Sequence, residues 1–207
     1  MLNHTDLAGL ASIASAISAL MLLLPRMAGN ARPRQAMLIA AVFALMLIPF
    51  GGMPLAAYVR GMTGDLSITT LVLLWCALSQ PWLEQPSQRS KQSRHTLLIL
   101  IALTALALYP MALGVGAFDP YRLGYSNPLF VGVLLLIALT AWWVRFYLVA
   151  LCIALAALAW TIGWYESDNL WDYLLDPFVA VYALAAVITR AIRGQRSSLS
   201  APLNPFD

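Results

Sequence analysis

Long uncharged apolar runs alternate with short segments that hold nearly all the charge of the chain. No Asp, Glu, Lys or Arg occurs in Leu7–Leu24, Gln35–Tyr58, Leu66–Leu83, Thr96–Phe118 or Pro128–Val144. About 20 predominantly apolar residues cross the hydrocarbon layer of a bilayer as a helix. Lipid offers no partner to bare backbone groups, so such segments must be helical or close into a barrel. A barrel strand alternates apolar and polar positions, and runs such as Leu97–Leu103 do not. Helices are therefore predicted.

Seven spans follow from the pattern. They are Leu7–Leu24, ending before Pro25; Ala36–Phe50, ending at Gly51-Gly52; Leu66–Leu83, its last turn loosened by Pro81; Thr96–Gly114, kinked at Pro110; Pro128–Val144; Phe146–Trp164; and Pro177–Ile192. The predicted fold is an all-α polytopic transmembrane bundle, one integral membrane domain over residues 1–207 without internal repeat. Only Glu84–His95 and the tail from Gly194 read as soluble and mobile. The join between the fifth and sixth spans lacks Gly and Pro. Pro128–Trp164 is 37 residues, about 55 Å as one helix, so a tight interfacial turn at Arg145 is expected. One long tilted helix would reduce the count to six and move the acidic loop to the other side.

Composition agrees: 61% of residues are hydrophobic and 10% charged, against roughly a quarter charged in soluble domains. The charges also sort by side. Lys and Arg beside spans stay cytoplasmic, which sets the N-terminus outside and the C-terminus inside. Ten of the 12 cations then fall inside: Arg26, Arg32, Arg34, Arg89, Lys91, Arg94, Arg145, Arg190, Arg193 and Arg196. Seven of the nine acids fall outside: Asp6, Asp65, Asp119, Glu166, Asp168, Asp172 and Asp176. Asp65, Asn127-Pro128 and Asp176-Pro177 read as helix starts on the outer side. The net charge of +3 reports orientation and contact with anionic lipid rather than nucleic acid. An Arg- and Ala-rich composition suggests a bacterial inner membrane. Met1–Asp6 lacks the positive region of a secretory signal, so the first run is expected to remain a span.

Candidate chemistry lies on the outer loops. Arg60 and Arg122, the two cations there, either pair with Asp65 or Asp119 or recognise a phosphate or carboxylate. Asp168, Asp172 and Asp176 recur every fourth residue, as a solvated face of a short interfacial helix or as a cation site. Asp65, Asp119 or Asp172 with Tyr121 or Tyr125 could serve acid–base chemistry. Ser67, Thr69 and Thr70 join helices or line a pocket. Cys76 and Cys152 read as buried hydrophobes, and His4 and His95 lie too close to span ends to hold a haem between them. No phosphate loop, hydrolase triad, metal-ligand spacing or cofactor motif occurs, nor an ionisable residue deep in a span, which argues against a proton-coupled carrier.

The expected function is that of an accessory subunit in envelope biogenesis. Its outer face would bind a partner protein or a lipid or lipid-linked headgroup through Arg60, Asp65, Asp119, Tyr121, Arg122, Asp168 and Asp172. Expected partners are membrane lipids and another membrane protein or a second copy. Two alternatives stand beside it. One is a membrane-embedded enzyme acting on a phosphate-bearing or polyprenyl-linked substrate, with Arg60 and Arg122 as clamp and Asp65 or Asp119 as base or metal ligand. The other is a passive transporter or cation-binding protein.

Overall fold

The computed structural model describes residues 3–23, 32–79 and 86–199. The chain is all-α apart from one two-residue hairpin. Helices α1 (His4–Leu23) and α2 (Arg32–Leu47) lead to strands β1 (Pro49–Phe50) and β2 (Met53–Pro54). Then follow α3 (Leu55–Thr63), α4 (Ile68–Ser79), α5 (Gln88–Ala112), a 3-10 turn Pro120–Gly124, α6 (Pro128–Trp143), α7 (Tyr147–Thr161), α8 (Leu170–Leu174) and α9 (Pro177–Leu199).

Each of the seven apolar runs contains a helix, but their lengths differ from the prediction. Among the described residues only α5, with 25 residues, is both long and apolar enough to cross a membrane. The apolar parts of α2, α4, α6 and α7 run 10–17 residues, so helix length does not support a seven-span bundle. The described parts of two segments expected to be mobile are largely helical instead. Ser87 caps α5 by accepting from Ser90 N–H at 3.2 Å, extending that helix back to Gln88 through Arg89, Lys91 and Arg94. Helix α9 continues past Gly194 to Leu199. The stops expected at Pro25 and Pro81, and the charges of Glu84 and Asp207, lie outside the described residues.

Pro128–Trp164 is two helices. Phe146 N–H bonds to Ala141 C=O at 2.7 Å and Arg145 N–H to Trp142 C=O at 3.0 Å, the paired bonds that close a helix when the next residue turns left-handed. Gly114 and Gly163 hold that position after α5 and α7, while after α6 it falls to Arg145 at φ 63°. A left-handed conformation costs a residue with a Cβ about 1–2 kcal/mol. Arg145→Val should therefore lower the melting temperature in detergent, whereas Arg145→Gly should leave it unchanged or raise it.

Helix α5 is the spine of the largest core cluster. Leu97, Leu98, Ile101, Ala102, Ala105 and Leu108 pack against Val149, Ala150 and Cys152 of α7 and Val179, Ala180 and Ala183 of α9. A second cluster joins Leu10, Ile13 and Ala14 of α1 to Ala56 of α3. Alanines recur at these contacts and let backbones approach closely, as helices do where hydrophobic exclusion contributes little.

The turn Gly51-Gly52, at φ 62° and 97°, reverses the chain into the hairpin, with Phe50 paired to Met53. Tyr58 Oη donates to Phe50 C=O at 2.9 Å, bracing α3 against it. Most of the apolar stretch after the hairpin is thus helical, as α3.

Candidate functional site at the acidic end

At the bundle end where α1, α4, α6 and α9 begin, the loops cross-link into two polar clusters. The first is centred on Arg60. Its Nε and Nη2 donate to Asp65 at 2.7 and 2.9 Å, the paired geometry in which guanidinium binds carboxylate best. Its Nη1 donates to Asp6 at 3.1 Å, and Glu166 lies 3.7 Å from Nη2. The Arg60 side chain is 17% exposed. Asp65, followed by Asp6 and Glu166, holds its guanidinium charged well above the usual range. The Asn3 N–H and then Arg60 hold Asp6 below the ordinary carboxylate range.

Gly9 makes this contact with α1 close. A Cβ there would come within 2.6 Å of both Arg60 Nε and Asp65 Oδ1. Asp65 does not cap α4 as expected. Ser67 does, accepting from Thr70 N–H at 3.2 Å, which leaves Asp65 for Arg60.

The second cluster is built on Asp172 and Tyr121. Tyr121 Oη donates to the Asp172 carboxylate at 2.9 and 3.0 Å, and Ser167 Oγ donates to its Oδ2 at 2.5 Å. Burial and the Asp172 hydrogen bond push the Tyr121 phenol above its usual range, so it stays a neutral donor. Asp119 starts the 3-10 turn by accepting from Tyr121 N–H at 3.0 Å. Asn169, fully buried, caps α8 through Trp171 N–H at 3.0 Å and donates to Tyr121 C=O at 3.0 Å. Gly124 allows this approach, since a Cβ there would overlap the Asn169 amide. Trp171 Nε1 donates to Pro120 C=O at 3.0 Å, and its ring packs 4.5 Å from Phe130.

Residues 165–169 bridge the clusters, with Glu166 facing Arg60 and Ser167 facing Asp172. Tyr165 Oη donates to Ser12 of α1 at 3.0 Å, and its ring stacks on Tyr173. Tyr173 Oη accepts from Tyr165 N–H at 3.1 Å and donates to Ser167 C=O at 3.0 Å. Burial raises both phenols.

A third tie is Asp176, only 5% exposed. Its Oδ1 caps α9 through Val179 N–H at 2.8 Å. Its Oδ2 accepts from Ser67 N–H at 2.8 Å, Ser67 Oγ at 2.7 Å and Thr70 Oγ1 at 2.5 Å. Ser67 and Thr70 thus join helices, and Thr70 also lines a cavity, so both roles open to this group are present.

Of the predicted site residues, the structure joins Arg60 with Asp65, and Tyr121 with Asp119 and Asp172. Arg122 is exposed, without an ion pair among the described residues. Asp168 is exposed, and its carbonyl accepts from Trp160 Nε1 at 2.8 Å. Asp168, Asp172 and Asp176 do not share a helix face, because α8 covers only Leu170–Leu174. Within that helix Leu170 and Tyr173 are buried against the bundle. Among the described residues no three His, Cys, Asp or Glu side chains group as metal ligands.

The phosphate clamp expected of Arg60 and Arg122 is occupied on the Arg60 side by carboxylates. Each Asp172 oxygen already accepts internally. Sequence reasoning did not assign Asp6, Glu166, Ser167 and Asn169 to these clusters. Their pairing spans distant segments, and no local spacing signals it.

Away from the loops, a groove of about 450 Å³ lies between α1, α4 and α9. Ile13, Ile17, Leu20, Leu73, Leu74 and Phe178 are among the side chains that line it, and Arg94 is its one charged lining residue among the described residues. Arg94 Nη2 donates to Tyr182 Oη at 2.7 Å. No protein family model, curated protein or solved structure matches this chain.

Proposed function

We propose that the chain is a polytopic protein of the bacterial inner membrane, its N-terminus outside and C-terminus cytoplasmic. We read it as an accessory subunit of envelope biogenesis that holds the hydrocarbon part of a lipid or lipid-linked intermediate. The observation that carries this reading is the apolar groove between α1, α4 and α9. Along α1 its lining runs from Ile13 to Leu23, about 15 Å at the helical rise and half of a hydrocarbon core about 30 Å thick. An acyl chain in one leaflet has that reach, and Arg94 with Tyr182 supplies the cation and hydroxyl that suit an anionic amphiphile.

Two further features support the membrane setting. Leu103, Leu129, Leu136 and Val181 are each at least 60% exposed, more apolar surface than water-soluble monomers ordinarily show. Trp142, Trp143 and Tyr147 gather at one end and Trp164 sits at the other, as aromatic residues do at headgroup level. The helices of 12–16 residues reach only about 18–24 Å, so the seven-span form draws on their capped ends and on local bilayer thinning. The accessory role is favoured over catalysis because Asp6, Asp65 and Glu166 are taken up by Arg60, and Asp172 and Asp176 by hydroxyl and amide donors.

Two measurements test this. Asp168→Cys and Arg190→Cys, both at exposed positions, should react with an impermeant maleimide from opposite sides of the membrane. Labelling from one side removes the topology. Ala77→Trp, filling the groove, should cut co-purifying lipid several-fold at unchanged melting temperature. Unaltered lipid content removes the groove as a binding site.

A further inference from the structure

A second cavity, about 320 Å³, sits where α5 begins and is lined by Ser87, Arg89, Ser90, Ser93, Arg145 and Tyr147. Three independent features meet in it. First, a helix of 25 residues starts here. The N–H groups of its first turn lack intrahelical acceptors and point toward the N-terminal end, where the helix dipole favours an anion. Ser87 satisfies Ser90 N–H, and among the described residues no acceptor is shown for those of Gln88 and Arg89. Second, two guanidinium groups border the cavity. Arg89 Nη1 donates to Val144 C=O at 2.9 Å, which brings Arg89 beside the end of α6. Arg145 stands there in its left-handed conformation, the kind of local backbone strain that collects at binding sites. Among the described residues no acidic side chain lines the cavity.

The third feature points to a ligand directly. Ser93 is 2% exposed, lines the cavity, and its Oγ has no hydrogen-bond partner. A serine inside a helix can bond to the carbonyl four residues back. Ser93 does not, so a buried hydroxyl bears an unmet desolvation cost.

We propose that this cavity binds a phosphate group, with the N–H groups of the first turn of α5, Arg89, Arg145 and the Ser93 hydroxyl as its donors. Donors arriving from the helix end, two guanidinium groups and a hydroxyl suit a tetrahedral oxyanion with several oxygens to fill, better than a planar carboxylate with two. The same chemistry comes from two sources, the headgroup of an anionic phospholipid or a soluble phosphate. The site is separate from the apolar groove and stands whether or not that groove binds lipid.

The test uses the full chain in phosphate-free detergent and in nanodiscs. In one arm inorganic phosphate is titrated by calorimetry and thermal shift. In the other, lipid retained from phosphatidylglycerol or phosphatidylcholine nanodiscs is counted by native mass spectrometry. One saturable site is expected, weakened tenfold or more in R89Q/R145Q. Phosphate binding in solution assigns a soluble ligand, and retention of phosphatidylglycerol alone assigns a headgroup; either supports the proposal. Ser93→Ala should raise the melting temperature of the ligand-free protein, because it removes an unpaired buried hydroxyl, while weakening binding several-fold. These opposite signs separate a ligand contact from a packing role, and remain readable if the double variant fails to fold. Absence of saturable binding in both arms overturns the proposal, as does binding that Ser93→Ala leaves unchanged.

Discussion

Asp176→Ala should destabilise this protein more than any other single polar substitution at the acidic end, by roughly 3–5 kcal/mol. The carboxylate is 5% exposed and serves two elements at once. Through Oδ1 it caps α9 at Val179, a role worth about 1 kcal/mol. Through Oδ2 it takes Ser67 N–H, Ser67 Oγ and Thr70 Oγ1. Truncation leaves these donors buried without a partner, at about 1–3 kcal/mol for each that cannot reorient. The two hydroxyls can turn elsewhere and the Ser67 N–H cannot, so the total stays well below the sum.

For a chain of this size 1 kcal/mol moves the melting temperature by about 2–4 °C, so the shift should be roughly 6–20 °C in detergent. Asp176→Asn should fall between wild type and Asp176→Ala, because one amide oxygen replaces one carboxylate oxygen and the NH2 faces a donor. If Asp176→Ala melted within 2 °C of wild type, the link from α4 to α9 would have no energetic weight; that threshold is about 1 kcal/mol or less.

The same residue shows what could be read from the chain and what could not. Asp176 before Pro177 announced a helix start, and Asn127 before Pro128 did the same. Asn127 indeed accepts from Leu129 and Phe130 N–H at 3.0 and 3.3 Å. Caps are legible because donor and acceptor lie two or three residues apart. That Asp176 also holds Ser67, 109 positions away, depends on how α4 and α9 pack, which no local pattern encodes. The helical class followed from continuous apolar runs, because a barrel strand would alternate apolar and polar positions and these do not.

Helix ends were less visible. The polar first two turns of α5 resembled a solvated loop because their charges masked the helical periodicity, and the Ser87 cap was the signal that could have corrected this. The turn at Arg145 was inferred only from excess length, since the residue that adopts φ 63° is not one that ordinarily does. At the site, Arg60 with Asp65 was readable from five-residue proximity. Asp6 and Glu166 joined them only through the fold.

Removing the Arg60 cation should weaken the acid response at that cluster. In wild type, Asn3 N–H and Arg60 depress the folded-state pKa of Asp6. A carboxylate whose folded pKa lies below its unfolded value of 3.8 contributes stability that is present above that value. The contribution is lost as pH falls through the folded pKa. Stability of the wild-type protein should therefore hold from pH 7 to about 5 and decline below about 4.

In Arg60→Gln, Asp6, Asp65 and Glu166 face one another without a compensating guanidinium. Like charges favour protonation, which works against the depression that Asp6 keeps from the Asn3 N–H. Stability is then reduced at neutral pH and declines less steeply than that of the wild type as pH falls toward 4. At pH 7 the loss should be about 2–3 kcal/mol, the scale of charged hydrogen bonds left unmade, reduced by screening at this partly exposed site. Arg60→Lys should restore charge but not the two-point contact with Asp65, and so return the wild-type pH trend at an intermediate melting temperature. Melting curves of the three proteins between pH 4 and pH 7 decide it. Parallel curves for wild type and Arg60→Gln would mean that the three carboxylates do not converge on Arg60 in the folded protein.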